Sequence, residues 1–224
     1  MGKGESMIEG VIFDMDGLMF DTEPLWTVAY DEVLPKFGIP EVPPDMPDAL
    51  RGSSGETTYR ILRQFLGEDI DAPAIWAEEK AVVHRMLEQG VEKKPGLDEL
   101  LAYLKEHDIP MAIASSSPAE TIAMDLANAG VTEYFGYTIS GEEVQRPKPD
   151  PQVFLVAAKK MGLDPAKTLV LEDSLNGVRA GAAGGFLTVM VPDMIAPTDE
   201  IRAIYSRECA SLYEVRDLLE AGEL

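Results

Sequence analysis

Apolar and polar positions follow two rhythms along this chain. Five short runs, Gly10–Phe13, Pro110–Ala114, Tyr137–Ser140, Thr168–Leu171 and Phe186–Val191, are rich in β-branched, aromatic or small apolar residues and read as strands. Between them, Gly96–His107, Pro118–Ala129, Pro151–Met161 and Ser174–Ala183 carry helical spacing. Gly130, Gly162 and Gly184-Gly185 stand where these helices should stop. Pro118 and Pro151 stand near helix starts, with Ser117 and Asp150 as candidate N-caps. Alternation of this kind predicts a parallel sheet with helices on both faces.

One interval breaks the alternation. From Glu23 to Lys94 there is no strand-like run, only helix-like stretches at Leu25–Phe37, Glu56–Leu66 and Pro73–Gln89, with a link containing Pro40, Pro43, Pro44 and Pro47. The expectation is an α/β fold: a Rossmann-like parallel sheet core made of residues 1–22 and 93–224, with an inserted all-helical subdomain over residues 23–92.

Composition narrows the function. The 224 residues suffice for one large domain or a domain plus a smaller one, and 46% apolar with 26% charged residues is ordinary for a globular chain. No apolar run approaches the roughly 18 residues of a membrane span, and Met1–Met7 lacks the apolar stretch of a signal peptide. Cys209 is the single cysteine, so no intrachain disulfide or cysteine metal cluster is expected, and the expected compartment is the cytoplasm. Nineteen basic against 40 acidic residues leave a formal charge of −21, which argues against nucleic acid and anionic membranes as partners. An anionic ligand would need a metal ion or a few placed cations to overcome that field locally.

Open parallel sheets bind ligands at the carboxyl ends of their strands. After the first strand come Asp14 and Asp16; after the second, Ser115-Ser116-Ser117; near the third, Lys148 in Arg146-Pro147-Lys148-Pro149; after the fourth, Glu172-Asp173-Ser174. Singly each has a bland explanation, such as a solvated strand-end acid, a surface lysine or a helix cap. Together they would deliver four acids, hydroxyls and a lysine to one edge. Grouped carboxylates are costly unless a hard cation joins them, and oxygen donors favour Mg²⁺. Ser115 can donate to a phosphoryl oxygen while Lys148 places a positive charge beside it. Asp14 is the expected nucleophile, and Asp16 the group that protonates the leaving alcohol and then deprotonates water.

The run Asp14-Met15-Asp16-Gly17, Ser115 after Met111-Ala112-Ile113-Ala114, Lys148 in "RPKPDP" and "LEDSLNGVRAG" from Leu171 to Gly181 resemble the haloacid dehalogenase superfamily of aspartate-nucleophile phosphotransferases. The resemblance covers nearly the whole chain, with four motifs in order. It implies that Asp14 is nucleophile and metal ligand, and that Asp16 is the acid/base whose backbone carbonyl also binds Mg²⁺. It further implies phosphate binding by Ser115, with Ser116 beside it, and by Lys148, and metal binding by Asp173 and by Glu172, directly or through water. The helical insertion would be a cap that opens for substrate and closes for chemistry.

Within that superfamily "DMDGLMFDTEPLW" is similar to the group of β-phosphoglucomutase and small phosphosugar phosphatases. The mutase pattern has a histidine shortly after the aspartate–threonine pair; here Asp21-Thr22 is followed at that place by Trp26. The mutase cap loop carries a late arginine for the distal phosphate; here Gly55 stands there, after Arg51-Gly52-Ser53-Ser54. Both departures favour a Mg²⁺-dependent phosphomonoester hydrolase acting on a small phosphorylated metabolite, a sugar phosphate above all, as a monomer. A phosphoglucomutase and a catalytically silent binding protein are the alternatives. Thr22, Trp26, Arg51, Ser53, Glu56 and Lys80 are the candidate substrate contacts of the cap. Trp26 and Trp76 also suit cap packing, His84 and His107 read as surface or capping residues, and Glu78-Glu79 and Glu142-Glu143 read as solvated faces.

Overall fold

The computed structural model describes residues 8–51, 53 and 55–224. Met1–Met7, and Gly52 and Ser54 of the cap loop, lie outside the described residues. In chain order the elements are β1 (Gly10–Phe13), α1 (Glu23–Val33), α2 (Met46–Leu50), α3 (Glu56–Leu66), α4 (Ala72–Leu87) and α5 (Leu97–Glu106). Then come β2 (Met111–Ser115), α6 (Ala119–Asn128), β3 (Phe135–Ser140), α7 (Gln152–Met161) and β4 (Thr168–Glu172). The chain ends with α8 (Leu175–Ala183), β5 (Leu187–Met190), α9 (Asp199–Arg202), β6 (Arg207–Glu208) and α10 (Leu212–Ala221). It divides into two compact units, one formed by the chain up to Asp21 together with Glu92–Leu224, the other by Thr22–Val91.

The first unit is built on a six-stranded sheet in the order β3-β2-β1-β4-β5-β6, parallel at every pairing. β1 is central because Gly-Val-Ile-Phe is apolar on both faces; all four residues are buried, as are all of β2 and β4. On one face Ile12, Ala114, Ile139 and Val170 pack against Phe154, Ala157 and Ala158 of α7 and Ala180 of α8. The chain runs outward from β1 to β2 and β3, then returns to β4 on the other side of β1. Strand order therefore reverses between β1 and β4, where such sheets open a crevice at their carboxyl ends.

Four elements lie beyond those expected from the sequence. β6 is two exposed residues that join β5 through Val189↔Arg207 and Met190↔Glu208. α9 is one turn and α10 follows a polar stretch. α2 lies inside the link that reads as irregular, where Pro47 occupies a first-turn position whose N–H needs no helical partner.

In the second unit α1, α3 and α4 pack together, with Ala29, Tyr30 and Val33 of α1 and Ile75, Val82, Val83 and Leu87 of α4 buried. The indoles of Trp26 and Trp76 stack with centroids 4.8 Å apart and planes 7° from parallel. Asp71 caps α4 by accepting from Ala74 N at 3.1 Å.

Of the two acid pairs, Glu78, Glu142 and Glu143 are exposed as expected and Glu79 is not. Glu79 is buried, and neither of its carboxylate oxygens has a partner among the described residues. It falls on the stripe Ile75, Glu79, Val82, Val83, so helical spacing carries it inward with its apolar neighbours. Burial pushes its carboxyl up to about 8. Glu143 closes a capping box with Ser140 and pairs with Lys160 at 2.9 Å, while Glu142 accepts from Ala119 N at 3.3 Å.

Candidate active site

β1 ends at Phe13, and the ladder runs one step further as Asp14 N donates to Leu171 O at 3.0 Å. That hydrogen bond sets Asp14 beside the end of β4, where Glu172 and Asp173 follow. Lys148 comes in from the segment between β3 and α7. Its Nζ donates to Asp14 Oδ1 at 2.5 Å, Glu172 Oε1 at 2.7 Å and Ala114 O at 3.1 Å, and lies 4.7 Å from the centre of the Phe154 ring. One ammonium thus joins the ends of β1, β2 and β4. Its side chain is only 7% exposed, so the three bonds replace its water. Burial works against the charge of Lys148, but Asp14 and Glu172 outweigh it and hold the amine above the ordinary lysine range. Burial pushes the Asp14 carboxyl up to about 7, against the pull of Lys148 and with added repulsion from Glu172 and Asp16.

Asp16 is held separately. Its Oδ2 accepts from Ser117 Oγ at 2.7 Å and from Ser115 Oγ at 3.4 Å, and Ser115 Oγ itself accepts from Ser117 N at 3.0 Å. Ser115 is buried at the tip of β2, and Ser116 is exposed. Ser117 is therefore a site residue and not the helix cap expected of it; α6 starts after Pro118 with no side-chain cap. Asp150, the other expected cap, accepts from Gln152 N at 3.0 Å.

Glu172 Oε2 accepts from both the N–H and the hydroxyl of Ser174 at 2.9 Å, and Ser174 Oγ caps α8 by accepting from Gly177 N. A Cβ on Gly177 would fall 1.6 Å from Glu172 Oε1, so glycine in the first turn of α8 makes room for this carboxylate. Gly17 does the same for Asp173: its φ of +81° suits glycine, and a Cβ there would sit 2.3 Å from Asp173 Oδ2.

Asp14, Glu172 and Asp173 each offer an oxygen, with all three within 4.8 Å of one another. Burial, then the charges of Glu172 and Asp14, raise the Asp173 carboxyl well above the carboxylate range. Three hard oxygen donors crowded in a buried place, with only Lys148 to offset the repulsion among them, fit Mg²⁺. The carboxylate of Asp16 is not among the three.

Other residues come forward only in the structure. Asp125 of α6 is buried with neither oxygen partnered among the described residues; burial, and then the charge of Asp16, push it up to about 7. Its place in "AMDLANAG" gives no sign of this, because a single acid in a helix reads as exposed. Lys94 pairs with Asp21 and Asp193.

The six residues expected to contact substrate lie in or at the edge of the helical unit. Thr22 is buried before α1, and Trp26 is half-buried on Trp76. Arg51 is bound to Glu23 at 3.1 Å and to Asp48. Ser53 shares a hydrogen bond of 2.8 Å with Thr58, and Glu56 and Lys80 are exposed. His84 lies 3.9 Å from Glu88, and His107 contacts the Tyr103 carbonyl, in keeping with surface roles. Among the described residues no helix is long and apolar enough to cross a membrane.

Comparison with known proteins places this geometry. Residues 11–191 match the model of the haloacid dehalogenase-like hydrolases. Fructose-1-phosphate phosphatase of Escherichia coli K12 is 33% identical over 185 residues, 81% of this chain and 95% of that protein. Hexitol phosphatase B of Escherichia coli O157:H7 is 31% identical over 223 residues, 95% of this chain and 97% of that one. The crystal structure of β-phosphoglucomutase from Clostridium difficile superposes with a TM-score of 0.78 at 22% identity, covering 96% of each chain, which shows a shared fold.

Proposed function

This chain belongs to the haloacid dehalogenase-like hydrolases and is a phosphatase of that family, and we propose that it hydrolyses a small sugar or sugar-alcohol phosphate through a phosphorylated Asp14. The observation that carries the reading is the convergence on Asp14: a strand-end carboxylate tied to a buried lysine, with a second acid held two residues on.

In this reading Asp14 attacks phosphorus, a P–O bond to its carboxylate forms, and the bond to the sugar oxygen breaks. Asp16, aimed by the Ser115 and Ser117 hydroxyls, gives its proton to the departing alkoxide. It then takes a proton from the water that attacks phosphorus, releasing phosphate and restoring Asp14. Lys148 keeps Asp14 in place and offers positive charge to the phosphoryl oxygens. Asp14 and Asp173, with the Asp16 carbonyl and Glu172 in support, would hold Mg²⁺. Bound there, Mg²⁺ would relieve the repulsion among the acids and neutralise charge on the phosphoryl group. The helical unit would choose the alcohol, with Trp26, Ser53, Glu56 and Lys80 the candidates least committed elsewhere.

Trp26 and Gly55, where a mutase carries histidine and arginine, weigh against returning the phosphoryl group to sugar, and the phosphatase relatives weigh the same way. The test incubates the purified protein and Mg²⁺ with fructose 1-phosphate, hexitol phosphates and β-glucose 1-phosphate plus a trace of the bisphosphate. Inorganic phosphate should appear, and should vanish in Asp14→Asn and on chelation of the metal. Accumulation of glucose 6-phosphate would identify a mutase instead, and no turnover of any ester a binding protein.

A further inference from the structure

The segment Met15–Asp21, which carries Asp16, turns back on itself: Gly17 N donates to Phe20 O at 3.0 Å and Met19 N to Met15 O at 2.9 Å. It is laced to the returning chain by Lys94 N to Met19 O at 2.8 Å, by Asp21 N to Glu92 O at 2.9 Å and by an antiparallel bridge between Phe20 and Lys93. Side chains complete the fastening. Lys94 Nζ donates to Asp21 Oδ1 at 2.9 Å, at the end of the segment, and to Asp193 Oδ1 at 2.7 Å, in the loop after β5. Lys94 is 18% and Asp193 12% exposed, and Asp193 Oδ2 is buried without a partner among the described residues.

Behind the turn lies a cavity of about 150 Å³, lined among others by Gly17, Leu18, Lys94, Asp193 and Ser211. Met15, Leu18, Met19 and Phe20 of the turn are buried, while the pocket lies open beside Gly17 and Leu18. What spans the gap to the β5 loop is the ammonium of Lys94.

We propose that Lys94 is a positioning residue for the acid/base: by clamping Asp21 to Asp193 beside this pocket it fixes the turn that aims Asp16 at the leaving oxygen. The inference rests on the hydrolase reading above and adds a residue that none of the four motifs contains. Removing the ammonium leaves Asp21 and Asp193 as like charges with no cation between them, and the turn gains freedom. Attack by Asp14 is untouched, because Asp14 is fixed by the strand ladder and Lys148. The deficit in forming the phosphorylated Asp14 should therefore follow the need of the leaving group for a proton.

The test compares Lys94→Met with wild type, with Mg²⁺ saturating, on a hexose phosphate and on 4-nitrophenyl phosphate, whose phenolate leaves unprotonated. General acid catalysis is worth roughly 10²–10⁴-fold, so a misaimed acid should lower kcat/KM, which reports the steps up to alcohol release, roughly 10- to 100-fold for the sugar ester. The aryl ester should lose less than about threefold in kcat/KM, while any loss in the water step, which also uses Asp16, enters kcat for both esters alike. Lys94→Arg, which keeps the charge, should recover most of the sugar-ester rate. Equal losses of kcat/KM on both esters, or none on either, would overturn the proposal. If Lys94→Met does not fold, Asp193→Asn, nearly isosteric, decides by the same ratio. A wild type inert on both esters would instead bring down the hydrolase reading, and this inference with it.

Discussion

At the scale of single residues, Lys148 is the point where stability and chemistry meet. It is the one cation bonded to both Asp14 and Glu172 among the described residues, and all three are nearly excluded from water. Removing one member of a buried ion cluster strands the others, typically at about 3–5 kcal/mol. Lys148→Met should lower unfolding stability by roughly that amount in urea titration without divalent metal, and abolish phosphate release. Adding Glu172→Gln should restore part of the stability and none of the activity. A Lys148→Met protein as stable as wild type would show that the cluster is neutral to folding. The lysine could be read from its place near the third strand's end, and the acids from the ends of the first and fourth. Ser117 and Ser174 could be placed at strand ends but not given their partners, and Asp125 could not be read at all, because such contacts depend on how a turn or helix face is rotated, which residue type alone leaves open.

At the scale of elements, the short apolar runs and helical spacing show through because each is a repeated signal; a strand buried on both faces has few other sequences available to it. β6 and α9 lack such repetition, and tertiary contacts decide them, whereas Leu212, Val215 and Leu219 of α10 recur at helical spacing and bury one face. Glu79 shows the opposite failure, in which the period was right and the residue type misled. Its consequence is a pH dependence confined to the helical unit. The carboxyl rises from an ordinary 4.5 to about 8 on folding, so the folded state binds a proton that the unfolded chain releases between these values. The proton's stabilising effect is complete below pH 4.5 and is lost as pH climbs through about 8. Glu79→Gln should therefore raise the melting temperature relative to wild type at pH 8 and give little or no advantage at pH 4.5. An advantage independent of pH would mean that the carboxyl is not neutral in the folded protein.

At the scale of the whole molecule, a charge of −21 sets the approach of any phosphate ester. Repulsion acts over the screening length, about 30 Å at 0.01 M salt and about 8 Å at 0.15 M. With Mg²⁺ held constant, kcat/KM for a sugar phosphate should rise across that range of sodium chloride, and the gain should shrink for an ester of lower charge. A fall would mean that the cations at the strand ends already dominate the approach.

The antiparallel lacing of Asp21 to Glu92 has a consequence of another kind. The chain's departure from the first unit and its return are fastened to each other, so the gap that Thr22–Val91 must bridge is closed by the first unit itself. The entropy of closing a loop grows only slowly with its length. An insertion with pinned ends can therefore be lengthened, shortened or exchanged for another module at little cost to the sheet. Alcohol preference could then be altered by transplanting a cassette between relatives, leaving the phosphoryl-transfer apparatus unedited.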